Sequence, residues 1–468
     1  MSDEVTLDDF NEKAGGENQV ADSSSESLEQ EKFGPFTLST PGEWTAKRLG
    51  DIKQLITRGK QPTYADDGVP VINQECIYWD DWYFENLRYL DEDVAAEWKD
   101  KYFPQKGDVI LNSTGKGTLG RAQVYPDDKR RAIDSHVTLI RADGELNPFF
   151  YRYFLESHLG QALLYSMCVN GSTGQIELSK NQLDLLPVPL PPVEEQRKIA
   201  SVLYTLDKAI QSTEDVIDQA NRLKLGVIQQ VFENGIDTHE DYQKTKSGVY
   251  PQQWDLVRFE EIIEDTRYGT DNKSNSDGDG YPTLRIPNAV GKRLTLDDLK
   301  YTPLTDDELD RLRLQEDDIL IIRTNGNPNY VGQCITFPGM DEDYVYASYL
   351  IRIRVDTDRV LPAYVREFLN SPRGRSEMSG WIRSSAGNYN LSVGSMEKFQ
   401  IPLPPLEEQA EMVEKIDLVE QVADGNRQSL NQMKRLKRGL MQDLLTGDVR
   451  TAEKEIDIPD EVKNYEPE

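Results

Sequence analysis

Cysteine is almost absent. The 468 residues hold three, Cys76, Cys168 and Cys334, too scattered and too odd in number for a disulfide framework or a metal-ligand spacing. That usage fits a reducing cytoplasm. Histidine is as scarce: His136, His158 and His239 each lack a second histidine or a cysteine at ligand spacing, so no metal site is expected. No run of about 18 apolar residues occurs, and no basic-then-apolar segment opens the chain, so neither membrane insertion nor export is expected. Basic residues are outnumbered 53 to 83, a net charge of −30, which on its face argues against a polyanionic partner. Residues 1–33 carry ten acids and two bases, and residues 448–468 eight and three, leaving −17 for the body. Acid spread over a whole surface also matches a protein kept soluble in a very salty cytoplasm.

Signatures of catalysis are missing as well. There is no Gly-x-Ser-x-Gly elbow from which to assemble a nucleophile and base. Gly115-Lys116-Gly117-Thr118-Leu119-Gly120 spells G-x-G-x-x-G, but that fingerprint needs a helix next, and Arg121 to Tyr125 reads as a strand. A hairpin turn is the better reading. It is also no P-loop, since the G-x-x-x-x-G-K-[ST] spacing is absent. Asn327-Pro328-Asn329-Tyr330 is similar to the Asn-Pro-Pro-Tyr loop of adenine methyltransferases, departs at the third position, and has no glycine-rich cofactor loop to accompany it. No catalytic residue, cofactor or metal is therefore assigned.

What the chain does have is a duplication. Pro191-Pro192-Val193-Glu194-Glu195-Gln196 returns as Pro404-Pro405-Leu406-Glu407-Glu408-Gln409, and the same offset of 213 carries Leu223-Lys224 onto Leu436-Lys437. Upstream the offsets drift: Trp44 matches Trp254, Asp108 matches Asp318, Ser135 and Arg141 match Ser348 and Arg354, and Arg152 matches Arg366. Solenoid repeats have periods of about 20–50 residues, so this is a repeated domain. Scaffold positions agree while the loops between them differ.

The pattern predicts an α+β protein: two similar strand-rich domains separated by two long helices. Residues 1–35 read as an acidic disordered tail, 36–186 as the first domain, 187–240 as the first helix, 241–399 as the second domain, 400–447 as the second helix and 448–468 as another acidic tail. Val109–Leu111, Ala122–Tyr125 and Val137–Ile140 read as strands, and Phe149–Leu164 as one helix. In the long helices Ile199, Leu203, Leu206, Ile210, Ile217 and Val227, with Val413, Ile416, Ala423, Leu430, Leu440 and Leu444, alternate at steps of four and three. This heptad spacing predicts that they pack as an antiparallel coiled coil, with pseudo-twofold symmetry between the halves.

Three donor-rich loops recur in each half. In the first domain they hold Arg58, Lys60, Gln61 and Tyr64; Thr114 and Lys116; and Ser172 and Thr173. In the second they hold Arg267 and Tyr268; Arg323 and Asn325; and Arg383, Asn388 and Tyr389. Arg, Asn and Gln suit bidentate contacts to base edges, and Lys, Ser and Thr suit phosphates. These fifteen residues are the candidate DNA contacts.

Two variable domains, each followed by a helix opening with Leu-Pro-Pro-x-x-Glu-Gln (Leu190–Gln196 and Leu403–Gln409), resemble the DNA-specificity subunit of type I restriction–modification enzymes. The Leu-Met-Gln-Asp-Leu-Leu-Thr-Gly run ending at Gly447 is similar to that family's second helix end. The resemblance covers residues 36–449. It implies a non-catalytic reader of a bipartite, asymmetric site in double-stranded DNA, spaced by the paired helices. It implies two methyltransferase subunits docked on those helices, and a motor-nuclease subunit that joins when DNA is cut. Without the resemblance, a coiled-coil scaffold that never touches DNA and a methyltransferase or nuclease with a hidden site stay open.

Overall fold

The computed structural model describes residues 28–33, 36–171, 176–236, 239–245, 248–385 and 387–463. The chain divides into two compact units, one of residues up to 214 together with 428 onward, the other of residues 215–427. Both mix helix and strand, as the sequence predicts.

The first unit is organised around strands β1 (Lys53–Arg58), β2 (Val109–Asn112), β3 (Ala122–Val124) and β4 (Val137–Ala142). They form an antiparallel sheet in the order β1-β4-β2-β3. Helix α1 (Pro148–Glu156) packs Phe150, Phe154 and Leu155 into the same core as Val109, Leu111 and Ile140. The first long helix, α2 (Val193–Asn234), follows. The second unit repeats the plan with β5 (Ile263–Tyr268), β6 (Ile319–Ile322), β7 (Cys334–Thr336) and β8 (Leu350–Val355), in the order β5-β8-β6-β7. Helix α3 (Pro362–Asn370) takes the place of α1, and α4 (Leu406–Thr446) is the second long helix. At 42 and 41 residues, each long helix runs about 60 Å at 1.5 Å per residue.

Repeated sequence positions are repeated contacts. Asp108 accepts two bonds from Arg141, at 2.8 and 2.7 Å, and Asp318 accepts two from Arg354, at 2.6 and 3.0 Å. The Pro-Pro-x-Glu-Glu-Gln motif is a clasp at each helix start. Gln196 donates to the carbonyls of Glu145 and Pro191 and accepts from the Asn147 amide. Gln409 does the same with Arg359, Pro404 and Leu361.

The structure corrects four expectations. The single helix over 149–164 is two, Pro148–Glu156 and His158–Cys168. Ser157 turns the chain between them: its Oγ donates to the Phe154 carbonyl and accepts from Gly160 N–H. Ser371 does the same with Phe368 and Gly374. A Cβ at Gly160 would lie 1.9 Å from the Phe154 oxygen, and one at Gly374 2.1 Å from that of Phe368, so both turns require glycine. Residues 28–33, assigned to a tail, form a strand paired with Phe36–Pro41; the rest of that tail lies outside the described residues. Residues 448–463 are packed chain, not tail, because Val462 is fully buried in the first unit's core. Finally, the apolar stripe serves the domain cores as well as the partner helix. Ile199 and Leu203 share the first core with Met441, Leu444 and Leu445. Ile228, Val231 and Phe232 share the second with Met412 and Ile416.

Candidate nucleic-acid interface

In the first unit three loops meet at one turn. Asp134 Oδ1 accepts from the His136 amide at 2.8 Å, tying the Asp134–Val137 turn, and the Asp134 carboxylate also accepts from the Tyr64 hydroxyl at 3.0 Å. The Gly59 amide bonds the Val137 carbonyl, and Arg58 Nε donates to the Ser135 carbonyl at 2.6 Å. A Cβ at Gly59 would come within 2.0 Å of the Asp134 oxygen, so only glycine lets the first loop lie this close. The second loop joins through Ser113 N–H to the His136 carbonyl and Thr114 Oγ1 to His136 Nδ1 at 2.9 Å. The third joins through Leu178 N–H to Ser113 and an Arg58–Glu177 ion pair at 3.3 Å. Gln61 accepts from Ser135 Oγ, Lys60 lies 5.0 Å over the Trp98 ring, and Lys116 stands exposed. Ser172 and Thr173 lie outside the described residues.

The second unit builds the equivalent surface from different side chains. Gly269 N–H bonds Leu350 and Arg323 N–H bonds the Tyr349 carbonyl, at the matching places. The Arg323 guanidinium stacks 4.8 Å over Tyr268, whose hydroxyl accepts from Val393 N–H. Strand pairing then assembles the remaining loops: Thr324–Asn325 against Tyr389–Asn390, and Asn388–Asn390 against Arg383–Ser385. Tyr268, Arg323, Asn325 and Tyr389 are thereby brought into one loop cluster, while Arg383 and Asn388 alternate to the opposite face of the ribbon from Asn325 and Tyr389. Arg267 does not join them. It alternates to the other face of β5, where it lies 4.0 Å from Asp265, beside the Arg352–Asp265 pair.

Both glycine- and proline-marked motifs prove to be turns. Gly115, Gly117 and Gly120 all have positive φ, and strand β3 follows. In Asn327–Tyr330, Asn325 and Asn327 side chains accept from the amides two residues on, an Asx-turn pair.

Glu367, Asp417 and Glu420 bring carboxylate oxygens within 4.8 Å of one another. Cations of the chain already answer them: Arg366 pairs with Glu367 and Asp417, and Lys224 and Arg293 each bond Glu420 at 2.6 Å. Burial works against the Glu420 charge, yet those two bonds hold its carboxyl below the usual range. The first unit carries a counterpart, where Lys437 bonds Glu156 and Asp207 at 2.7 and 2.8 Å and Arg152 bonds the same two acids.

Sequence reading passed over one position. The turn apex, His136 in the first unit and Tyr349 in the second, is exposed between a half-buried serine and a buried apolar residue. The repeated serine before it, Ser135 and Ser348, was the available signal.

A sheet in the same strand order, followed by a clasped long helix and occurring twice, defines a paired-domain recognition protein. The family model described as Type I restriction modification DNA specificity domain matches residues 41–222 and again 251–435, and the chain belongs to that family. It is similar to the type I restriction enzyme EcoKI specificity subunit of Escherichia coli, at 25% identity over 81% of each chain. A putative type I restriction enzyme MjaX specificity subunit of Methanocaldococcus jannaschii is 24% identical, over 88% of this chain and 94% of that one. The crystal structure of a type I S subunit from M. genitalium has the same fold, with a TM-score of 0.53 at 15% identity, covering 86% of this chain and 96% of that one. No helix among the described residues is long and apolar enough to cross a membrane.

Proposed function

We propose that this chain is the non-catalytic DNA-specificity subunit of a type I restriction–modification complex. Each unit reads one half of a bipartite, asymmetric DNA site. The observation that carries this reading is a shared scaffold with unlike loops: the same strand order and the same turn, but Arg58, Gln61 and Thr114 around one and Tyr268, Arg323 and Asn325 around the other. The side chains of these loops, with Lys60, Lys116, Arg383, Asn388 and Tyr389, contact DNA, the amides and guanidinium groups reaching base edges and the lysines phosphates. Tyr64 acts behind the surface, its hydroxyl held by Asp134, and Arg267 lies on the opposite face of β5 from Tyr268.

The two long helices are the spacer, paired as an antiparallel coiled coil with pseudo-twofold symmetry. Supporting contacts occur within each unit: Lys437 with Asp207 and Lys434 with Glu214 in the first, Lys224 with Glu420 and Arg427 with Asn221 in the second. Two methyltransferase subunits dock on these helices, where Leu223, Leu225, Leu418 and Leu436 are more than half exposed and offer apolar surface to a partner. A motor-nuclease subunit completes the cutting form. The test is to co-express the chain with a methyltransferase subunit and map N6-methyladenine across the genome. A two-part motif is expected. DNA modification by the chain alone would favour an enzyme with a hidden site, and methylation without sequence preference in the complex would favour a scaffold.

A further inference from the structure

We infer that His136 and Tyr349 are the central specificity-determining residues of the two reading surfaces, an inference that rests on the function proposed above. The two positions are structurally one. In both units the four residues before the serine are buried, the serine is half-buried, the next residue is exposed and the one after it is buried again. Ser113 N–H holds the His136 carbonyl at 2.8 Å, and Arg323 N–H holds that of Tyr349 at 3.0 Å. Val137 N–H returns to Asp134, and Leu350 N–H to Ala347. Gly59 and Gly269 press the first loop onto the same turn, where a Cβ would lie 2.0 and 2.2 Å from backbone oxygen. A backbone pinned from three sides holds its one projecting side chain in a fixed place. That is the requirement for distinguishing bases by hydrogen-bond geometry.

The side chains at this position differ as readers of different half-sites should. Tyr349 is 56% exposed, unusual for a ring that nothing in the fold requires to be outside. Its phenol donates and accepts, and its ring face suits a thymine methyl. His136 is oriented by Thr114, whose hydroxyl meets His136 Nδ1 at 2.9 Å and lies 3.5 Å from Gln74 Oε1. In the tautomer in which Thr114 accepts from Nδ1–H, Nε2 is left as an acceptor toward DNA. In the major groove the complementary donors are the exocyclic amines of adenine and cytosine.

The experiment is selection of bound sites from a random double-stranded DNA library by the chain in complex with its methyltransferase subunits, run for wild type, H136A, H136Q, Y349A and Y349F. Circular dichroism and gel filtration first establish that each variant folds and assembles. The expected result is a changed base preference confined to one half of the motif, with discrimination at one base pair falling about tenfold or more. H136A and H136Q should alter one half, and Y349A and Y349F the other. Unaltered preference in both halves, even with weaker overall binding, overturns the inference, as does equal loss of both halves. If the wild-type complex enriches no two-part site, the proposed function fails instead.

Discussion

The Trp44 indole donates to Glu195 at 3.0 Å across 151 residues of sequence, and Trp254 donates to Glu408 at 2.9 Å in the same way. The third partner distinguishes the halves. Arg450 bonds both oxygens of Glu195, whereas His239 Nε2 and the Ile236 amide bond one oxygen of Glu408. In each case the residue comes from the segment after a long helix, past a positive-φ glycine, Gly447 or Gly235, that ends it.

Glu195→Ala should therefore destabilise the first unit by about 3 kcal/mol, because it strips the acceptor from the Trp44 indole and the Thr451 amide and leaves Arg450 without its buried partner, with Glu43 still paired. Urea denaturation measures this. Burial opposes the Glu195 charge, but Arg450, the Thr451 amide and Trp44 hold its carboxyl below the ordinary 4.5. A depressed folded-state value stabilises above the unfolded one and is lost as pH falls through the folded one. Stability should thus drop on acidification below about 4.5, and less steeply in Glu195→Gln.

Cys76, Cys168 and Cys334 are buried, and burial pushes their thiols up to about 11, 12 and 12. Iodoacetamide at pH 8 should leave all three unmodified in the folded chain and label all three in denaturant, read by mass spectrometry. Raised thiol values also mean that stability is complete below the ordinary 9.0 and declines as pH rises beyond it.

Ser157→Ala and Ser371→Ala should each cost about 1 kcal/mol, the usual loss for an N-cap. Gly160→Ala should cost more, since its methyl group meets backbone rather than a movable side chain. Thermal melts of the three variants give the order.

Replacing residues 250–399 with the equivalent domain of a relative should change one half of the methylated motif and leave the other. Inserting seven residues after Asp218 and seven after Asn431 should lengthen the gap between halves. Genome methylation maps read both, and an unchanged gap would show that the helices are not the spacer.

At a net charge of −30 the folded chain repels itself, and salt screens that repulsion. The melting temperature should rise steadily from dilute buffer to molar potassium chloride. A flat profile would remove the salty-cytoplasm reading.

Much of the scaffold was legible because duplication marks the positions that packing cannot give up. Asp108 and Arg141 recur as Asp318 and Arg354 because a buried carboxylate needs its guanidinium. Trp44, Glu195 and Gln196 recur because the clasp uses all three. Periodicity misled where it was blind to a cap: Phe150, Phe154 and Leu159 keep helical spacing straight through the bend at Ser157. The acidic composition of residues 448–463 hid Val462, a single apolar residue with its own place in the core. In the candidate interface, loop membership was readable, but facing was not. Arg267 and Tyr268 are neighbours in sequence and opposites on a strand. The turn apex escaped because His136 and Tyr349 share no chemistry, only backbone.

The second unit is one uninterrupted stretch of chain, residues 215–427, while the first is completed only by residues from 428 onward. During synthesis, then, the later-made module can close as soon as it leaves the ribosome. The earlier-made one must wait, its tryptophan and clasp carboxylate without Arg450, until residues 428 onward have been translated. Chaperones should accordingly find their substrate in residues up to 214 of nascent chains.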